Sequence, residues 1–382
     1  MSEYQYYEFQ AIDRPLGKVD RAELEALSSR ARVTSTSFTN TYNYGDFRGD
    51  PRKLVERWFD LHLYLANWGT RRLMIRLPKR FLDPSRIEVF LHEVEWVETW
   101  ESGKNLIVDM HFHDEESVYA GWEEGEGWLG ALAPLRAELL AGDLRLFYLL
   151  WLTAAEAGDL SDDEKEPLPG IGPLTGALDV FADFFHVDPD LVRASAERPA
   201  DADGGAISDN TVREEIAAIP EAEKTTLLQR LVDGDPHVAA EVRSRVREAV
   251  APGAGESRER RRTVADLRAR AEAIRKERET AAAERREAER RRQAELEEKA
   301  RRVRLSALAA RGAASVWREV ETEIERRNAA GYERAVALLR DLRVLAEEDG
   351  SAKEFSECVR SLRDRHERKR RFIERLAELK VS

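Results

Sequence analysis

Residues 94–113, VEWVETWESGKNLIVDMHFH, decide the fold class. Two runs rich in aromatic and β-branched residues flank Ser102-Gly103, the pattern of a β-hairpin closed by a short turn. Side chains alternate faces along a strand, so over 105–113 Leu106, Val108, Met110 and Phe112 share one face and Asp109, His111 and His113 share the other. A sheet with one apolar face needs helices to cover it. Upstream, residues 4–12 read as a strand ended by Asp13-Arg14-Pro15, Asp20 caps a helix to about Arg30, and 33–44 read as a second strand. Asp50 and Pro51 then open a helix as N-cap and N1, extended by the helical spacing of Leu54, Val55, Trp58, Phe59, Leu61 and Leu65. Strands are expected at 71–77 and 86–91. Downstream come helices over 129–158, an acidic, proline-rich loop over 161–173, and helices over 174–185 and 189–197. The order predicts an α+β domain, a largely antiparallel sheet with packed helices, followed by an all-α region.

Seven of the eight tryptophans lie within the first 151 residues, whereas Arg, Glu and Ala dominate beyond Val250. The expected organisation is a globular domain at 1–198, a linker at 199–210, a two-helix segment at 211–250, a linker at 251–257, a long charged helix at 258–311 and a small helical bundle at 312–382. Residues 258–304 hold 18 basic and 11 acidic side chains, a local +7 in a chain of −12. Without Gly or Pro they predict a continuous helix of about 70 Å. A heptad seam begins with Val264, Leu267, Ala271 and Ile274 but continues with Arg278, Ala281, Arg285, Ala288 and Arg292. Like charges at alternate seam positions oppose a coiled coil. A lone helical spacer is therefore favoured over a homodimer through 258–304.

Composition excludes several classes. The net charge of −12, from 62 basic and 74 acidic residues, is wrong for a uniformly basic nucleic-acid binder. The single cysteine, Cys358, closes no intrachain disulfide, and MSEYQYYEFQ carries no charged-then-apolar leader, so a reducing cytoplasm is expected. The longest apolar run, 146–155, is about half a bilayer span, which argues against a membrane role. No phosphate loop, G-x-S-x-G or H-E-x-x-H motif occurs. The acidic stretches 113–116 and 122–128 lack the spacing of a calcium loop. His62, His92, His186, His237 and His366 stand singly, as structural or exposed histidines do.

The string YYEFQAIDRPL, with SFTNTYNYGDFRGDP and ANWGTRRLMIRLP, resembles a family of uncharacterised bacterial proteins, mainly of high-GC, actinobacterial type. That resemblance covers about the first 200 residues and implies no activity. YERAVALLRDLRVLAEEDG and SLRDRHERK are similar to a helical tail ending some bacterial SWIM zinc-finger proteins. The finger's cysteine and histidine ligands are absent, so its metal and nucleic-acid roles do not carry over.

Two constellations suggest chemistry. Asp109, His111 and His113 on one strand face, with Glu98 diagonally across the hairpin, form a candidate site for zinc, iron or manganese. Trp68, Arg71, Arg72, Arg76, Lys79 and Arg80 form a basic strand that can track a phosphate backbone, with Trp68 to stack on a base. Against each stands a simpler arrangement, a solvated strand face in the first case and a salt-bridged sheet face in the second. With no catalytic template matched and no cofactor called for, the sequence points to a non-enzymatic interaction or scaffold protein: an N-terminal recognition domain and a C-terminal helical module that docks a protein partner. The alternative is a metal-dependent enzyme or nucleic-acid-associated factor using the Asp109/His111/His113 face and the Arg72/Arg76 strand.

Overall fold

The computed structural model describes residues 3–113, 124–198, 209–250, 261–377 and 379. Most of the two expected linkers lies outside these residues, as do 114–116 and 122–123 of the acidic stretches. Contacts divide the chain into compact units at 1–278 and 279–382.

The first unit is built on seven strands: β1 (Gln5–Gln10), β2 (Arg32–Val33), β3 (Ser37–Tyr42), β4 (Leu61–Ala66), β5 (Thr70–Pro78), β6 (Val97–Ser102) and β7 (Asn105–His113). They form one sheet, order β2-β3-β1-β4-β5-β7-β6, with every paired neighbour antiparallel. Its helices are α1 (Lys18–Leu27), α2 (Pro51–Arg57), α3 (Pro84–Leu91), α4 (Trp128–Leu132), α5 (Pro134–Leu140), α6 (Arg145–Ala157), α7 (Gly176–Phe184), α8 (Pro189–Ala196), α9 (Asp209–Ala218), α10 (Glu221–Val232) and α11 (Val238–Val250). Leu61, Leu63, Leu65, Leu73, Ile75, Leu106, Val108 and Met110 turn to the face covered by the helices that follow β5, where α6 is buried along most of its length. The opposite face buries Phe9, Phe38, Met74 and Ile107 under α1 and α2.

Four local expectations are corrected. Residues 61–66 are a strand, not the end of α2: Leu61, Leu63 and Leu65 face the main core while His62 and Tyr64 face the other way. Residues 86–91 belong to helix α3, opened by Asp83, whose carboxylate accepts from Ser85 N at 2.9 Å, with Pro84 behind it. Asp20 sits inside α1, where it accepts from Gly17 N at 3.1 Å and from Trp58 Nε1 at 2.9 Å. The 211–250 segment is three helices rather than two.

α12 (Val264–Arg311) spans 48 residues. It starts on a reciprocal cap: Thr263 Oγ1 accepts from Asp266 N at 3.1 Å, and Asp266 accepts from Thr263 N at 3.0 Å. The apolar start of its seam, Val264, Leu267, Ala271 and Ile274, is part of the first unit's core. From Lys276 to Arg304 nearly every side chain is exposed.

The second unit packs the end of α12 with α13 (Ala313–Glu325), α14 (Ala329–Glu348), α15 (Ala352–Arg365) and α16 (Arg370–Ala377). Val316, Val320, Ile324, Leu339, Leu362 and Phe372 form its core. The side chain of Asn328 caps α14 by accepting from Gly331 N at 2.7 Å.

His62 on β4 is fully buried, stacks on Phe9 at 3.9 Å between centroids, and has Nδ1 3.0 Å from the Glu8 carbonyl. Burial, then the neighbouring Arg72 charge, depresses its pKa to about 3. The unfolded chain, with an ordinary histidine, binds this proton first as pH falls. Stability is therefore whole above about pH 6.5 and drops by about 1.4 kcal/mol per pH unit below it, until roughly pH 3. Between pH 6.5 and 5 the loss is about 2 kcal/mol. Urea midpoints of wild type and His62→Phe across this range should differ in slope; parallel curves would remove His62 as the cause.

Candidate functional site

The two constellations expected from the sequence meet on the β5–β7 ladder, which aligns Arg72 with His111 and Met74 with Asp109. Asp109, 3% exposed, receives Arg72 Nε at 2.8 Å and Nη2 at 2.7 Å, so both of its oxygens are held by one guanidinium. Glu98 lies directly opposite Asp109 rather than diagonally, and pairs with Arg52 at 3.0 Å. His113 Nδ1 lies 2.9 Å from Thr70 Oγ1. Desolvation, then the Arg72 charge, presses the pKa of His111 below its usual value. Among the described residues no three His, Cys, Asp or Glu side chains are grouped to hold a metal. The structure thus does not assemble Glu98, Asp109, His111 and His113 into a ligand set, because Arg72 and Arg52 occupy the carboxylates.

The basic strand is likewise turned onto the protein. Arg71, 5% exposed, donates to the Phe184 carbonyl at 2.9 Å and lies over that ring. Arg76 donates to Asp60 Oδ1 at 2.8 Å and to the Val55 carbonyl at 2.9 Å. Lys79 pairs with Glu101, and Arg80 lies over Phe81, 3.9 Å from Asp235. Trp68 is half-buried in the turn between β4 and β5. The arrangement is the salt-bridged sheet face. It continues inward: Asp60 accepts from the backbone of Ile12 at 2.6 Å and Asp13 at 2.9 Å, and Asp13 accepts from Arg136 at 2.7 Å.

A different surface is open. In the second unit a groove of about 240 Å³, its exposed lining about evenly polar and apolar, lies between α12, α13, α14 and α15. Leu308, Leu342, Ala346 and Phe355 are the buried part of its lining. Trp317, half-buried, packs on Phe355 at 5.8 Å between centroids, and Leu345 joins the lining. Two left-handed glycines make the turns around it: Gly312 (φ 76°) between α12 and α13, and Gly350 (φ 75°) after α14. Ala309 and Ala313, both exposed, leave its edge free of bulky side chains. Its charged lining residues are Asp349 and Glu354, neither of which makes an ion pair among the described residues. Exposed Cys358 sits on α15 at the rim. The sequence predicts helices here. The groove itself depends on how four of them meet, which no periodicity within one helix encodes.

A polar cleft in the first unit, lined by Arg80, Phe81, Arg230, Asp235, Glu241 and Arg245, holds arginines already paired with acids, such as Arg230 with Asp235 and Glu241, both at 2.8 Å. Among the described residues no helix is long and apolar enough to cross a membrane. Comparison with protein-family models, curated proteins and solved structures finds no match to this chain.

Proposed function

We propose that this chain is a non-enzymatic interaction protein whose C-terminal helical unit docks a partner through the groove at Trp317, Leu345 and Phe355. The groove is the observation that supports this reading. At about 240 Å³ it is smaller than the roughly 300–1,000 Å³ of sites that enclose small molecules, and it suits the apolar anchor of a helix laid into a helical groove. The N-terminal α+β unit would supply a second recognition surface. In a reducing cytoplasm Cys358 remains a thiol.

The chain's only cysteine provides the test. A bifunctional thiol-directed crosslinker on Cys358 of the full-length protein should join it to a docked polypeptide. Ala309→Gln, which fills the groove edge from an exposed position, should cut that adduct at least about tenfold, with thermal unfolding unchanged. An adduct indifferent to Ala309→Gln, or none at all, would refute the docking role.

A further inference from the structure

The groove's chemistry can be matched on the same unit. Along the exposed stretch of α12, Leu296 and Val303 are 53% and 70% exposed. At 100° per residue they share an arc of about 60° with Arg285, Arg292 and Lys299. Among the described residues none of these three cations makes an ion pair, and Glu289 is the one acid near the edge of the arc. This is a helical ridge with two apolar knobs and unpaired positive charge. The groove offers the complement, a mixed lining in which the apolar side chains of Leu342, Leu345 and Phe355 lie beside two unpaired carboxylates, Asp349 and Glu354.

A chain cannot bring its own ridge to its own groove. Leu296 and Ala309 lie on one continuous helix, 13 residues and so about 20 Å apart along its axis. Leu308, at the groove, turns into the bundle, whereas Leu296 and Val303 face solvent.

We propose that the groove receives the Leu296/Val303 ridge of a second copy of this chain, head to tail, with Arg292 and Lys299 meeting Asp349 and Glu354. This rests on the docking reading of the groove and names its occupant. Ridge and groove are different patches, so each bound copy still presents one of each, and association continues past the dimer unless it closes into a ring.

The test is complementation by mixing. Sedimentation of wild type at rising concentration should show association beyond a dimer. Ala309→Gln, lacking the groove, and Leu296→Ser/Val303→Ser, lacking the ridge, should each self-associate at least about tenfold more weakly. Because every substituted side chain is exposed, the folded state should be kept, as circular dichroism would verify. Mixed one to one, the two variants retain one good groove and one good ridge, and should form a dimer that grows no further. A wild type monomeric at all concentrations overturns the proposal, as does a mixture that stays monomeric while wild type associates. The Cys358 crosslink separates this failure from that of the groove itself. Adducts joining isotope-labelled to unlabelled chains are expected. Groove-dependent adducts containing only another polypeptide would overturn self-association and keep the docking role, whereas adducts indifferent to Ala309→Gln would end both.

Discussion

Glu166→Ala should lower the stability of the first unit by about 3–5 kcal/mol, the usual consequence of removing one member of a buried ion pair. Glu166 is fully buried, and its oxygens accept from Arg262 Nε at 3.0 Å, Arg262 Nη2 at 2.9 Å, the Arg262 backbone at 2.9 Å and Tyr148 OH at 2.6 Å. Arg262 also donates to the Ala194 carbonyl at 2.6 Å, just ahead of the first turn of α12. Without the carboxylate, a guanidinium enclosed by protein loses the counter-charge bonded to it, and the position of Val264 and Leu267 loses its anchor. Urea unfolding followed by near-ultraviolet ellipticity reads this unit, since it holds seven of the eight tryptophans. The double replacement Glu166→Leu/Arg262→Met should recover much of the loss, because it leaves no unpaired charge. A double variant as damaged as the single one would show that packing, rather than charge, is the cause.

The second large effect is expected from Leu339→Asp. Leu339 is 0% exposed in a core shared with Val316, Val320 and Phe372. Truncating a buried leucine to alanine already costs about 2–5 kcal/mol, and a carboxylate adds the penalty of an unpaired buried charge. A unit of this size has little more stability than that to lose. It should unfold at room temperature, with a clear fall in helical ellipticity, while the tryptophan signal of the first unit keeps its transition. Undiminished helicity would place Leu339 outside the core.

Where one pattern fitted a segment, the sequence was readable. β7 was delimited from alternation alone, and the Asp50-Pro51 start of α2 followed from the chemistry of caps. Where two patterns overlapped, it was not. Leu54, Val55, Trp58, Phe59, Leu61 and Leu65 satisfy a helical period, but Leu61, Leu63 and Leu65 equally satisfy the period of a strand; hydrogen bonding to β1 and β5 decides for the strand. Ile87 and Phe90 make the core face of α3 at a spacing of three, a signal that the short run 86–91 was too brief to resolve. The charged residues were found, but not their partners. Arg72 and Asp109 meet only through the β5–β7 register, and Arg76 and Asp60 are joined in the tertiary fold. Partner identity is a property of strand pairing, and that is why a basic strand and a histidine-bearing strand looked available when viewed singly. The apolar opening of the α12 seam likewise finds its partner only in the fold: Val264, Leu267, Ala271 and Ile274 have heptad spacing, and the surface they meet is the first unit's own core.

The position of β1 bears on proteolysis. Gln5–Gln10 is hydrogen-bonded on both sides, to Ser37–Tyr42 and to Leu61–Ala66. Trimming an outer strand would only shift the margin of the sheet. Cleavage after Gln10 would instead split it internally and bare the backbone groups of two facing strands that end at no natural border. Two such open edges on an apolar sheet are templates for pairing with other chains. The nicked product should therefore scatter light as an aggregate rather than persist as a slightly smaller monomer, and a nicked chain that stays monodisperse would show that β3 and β4 can close the gap unaided.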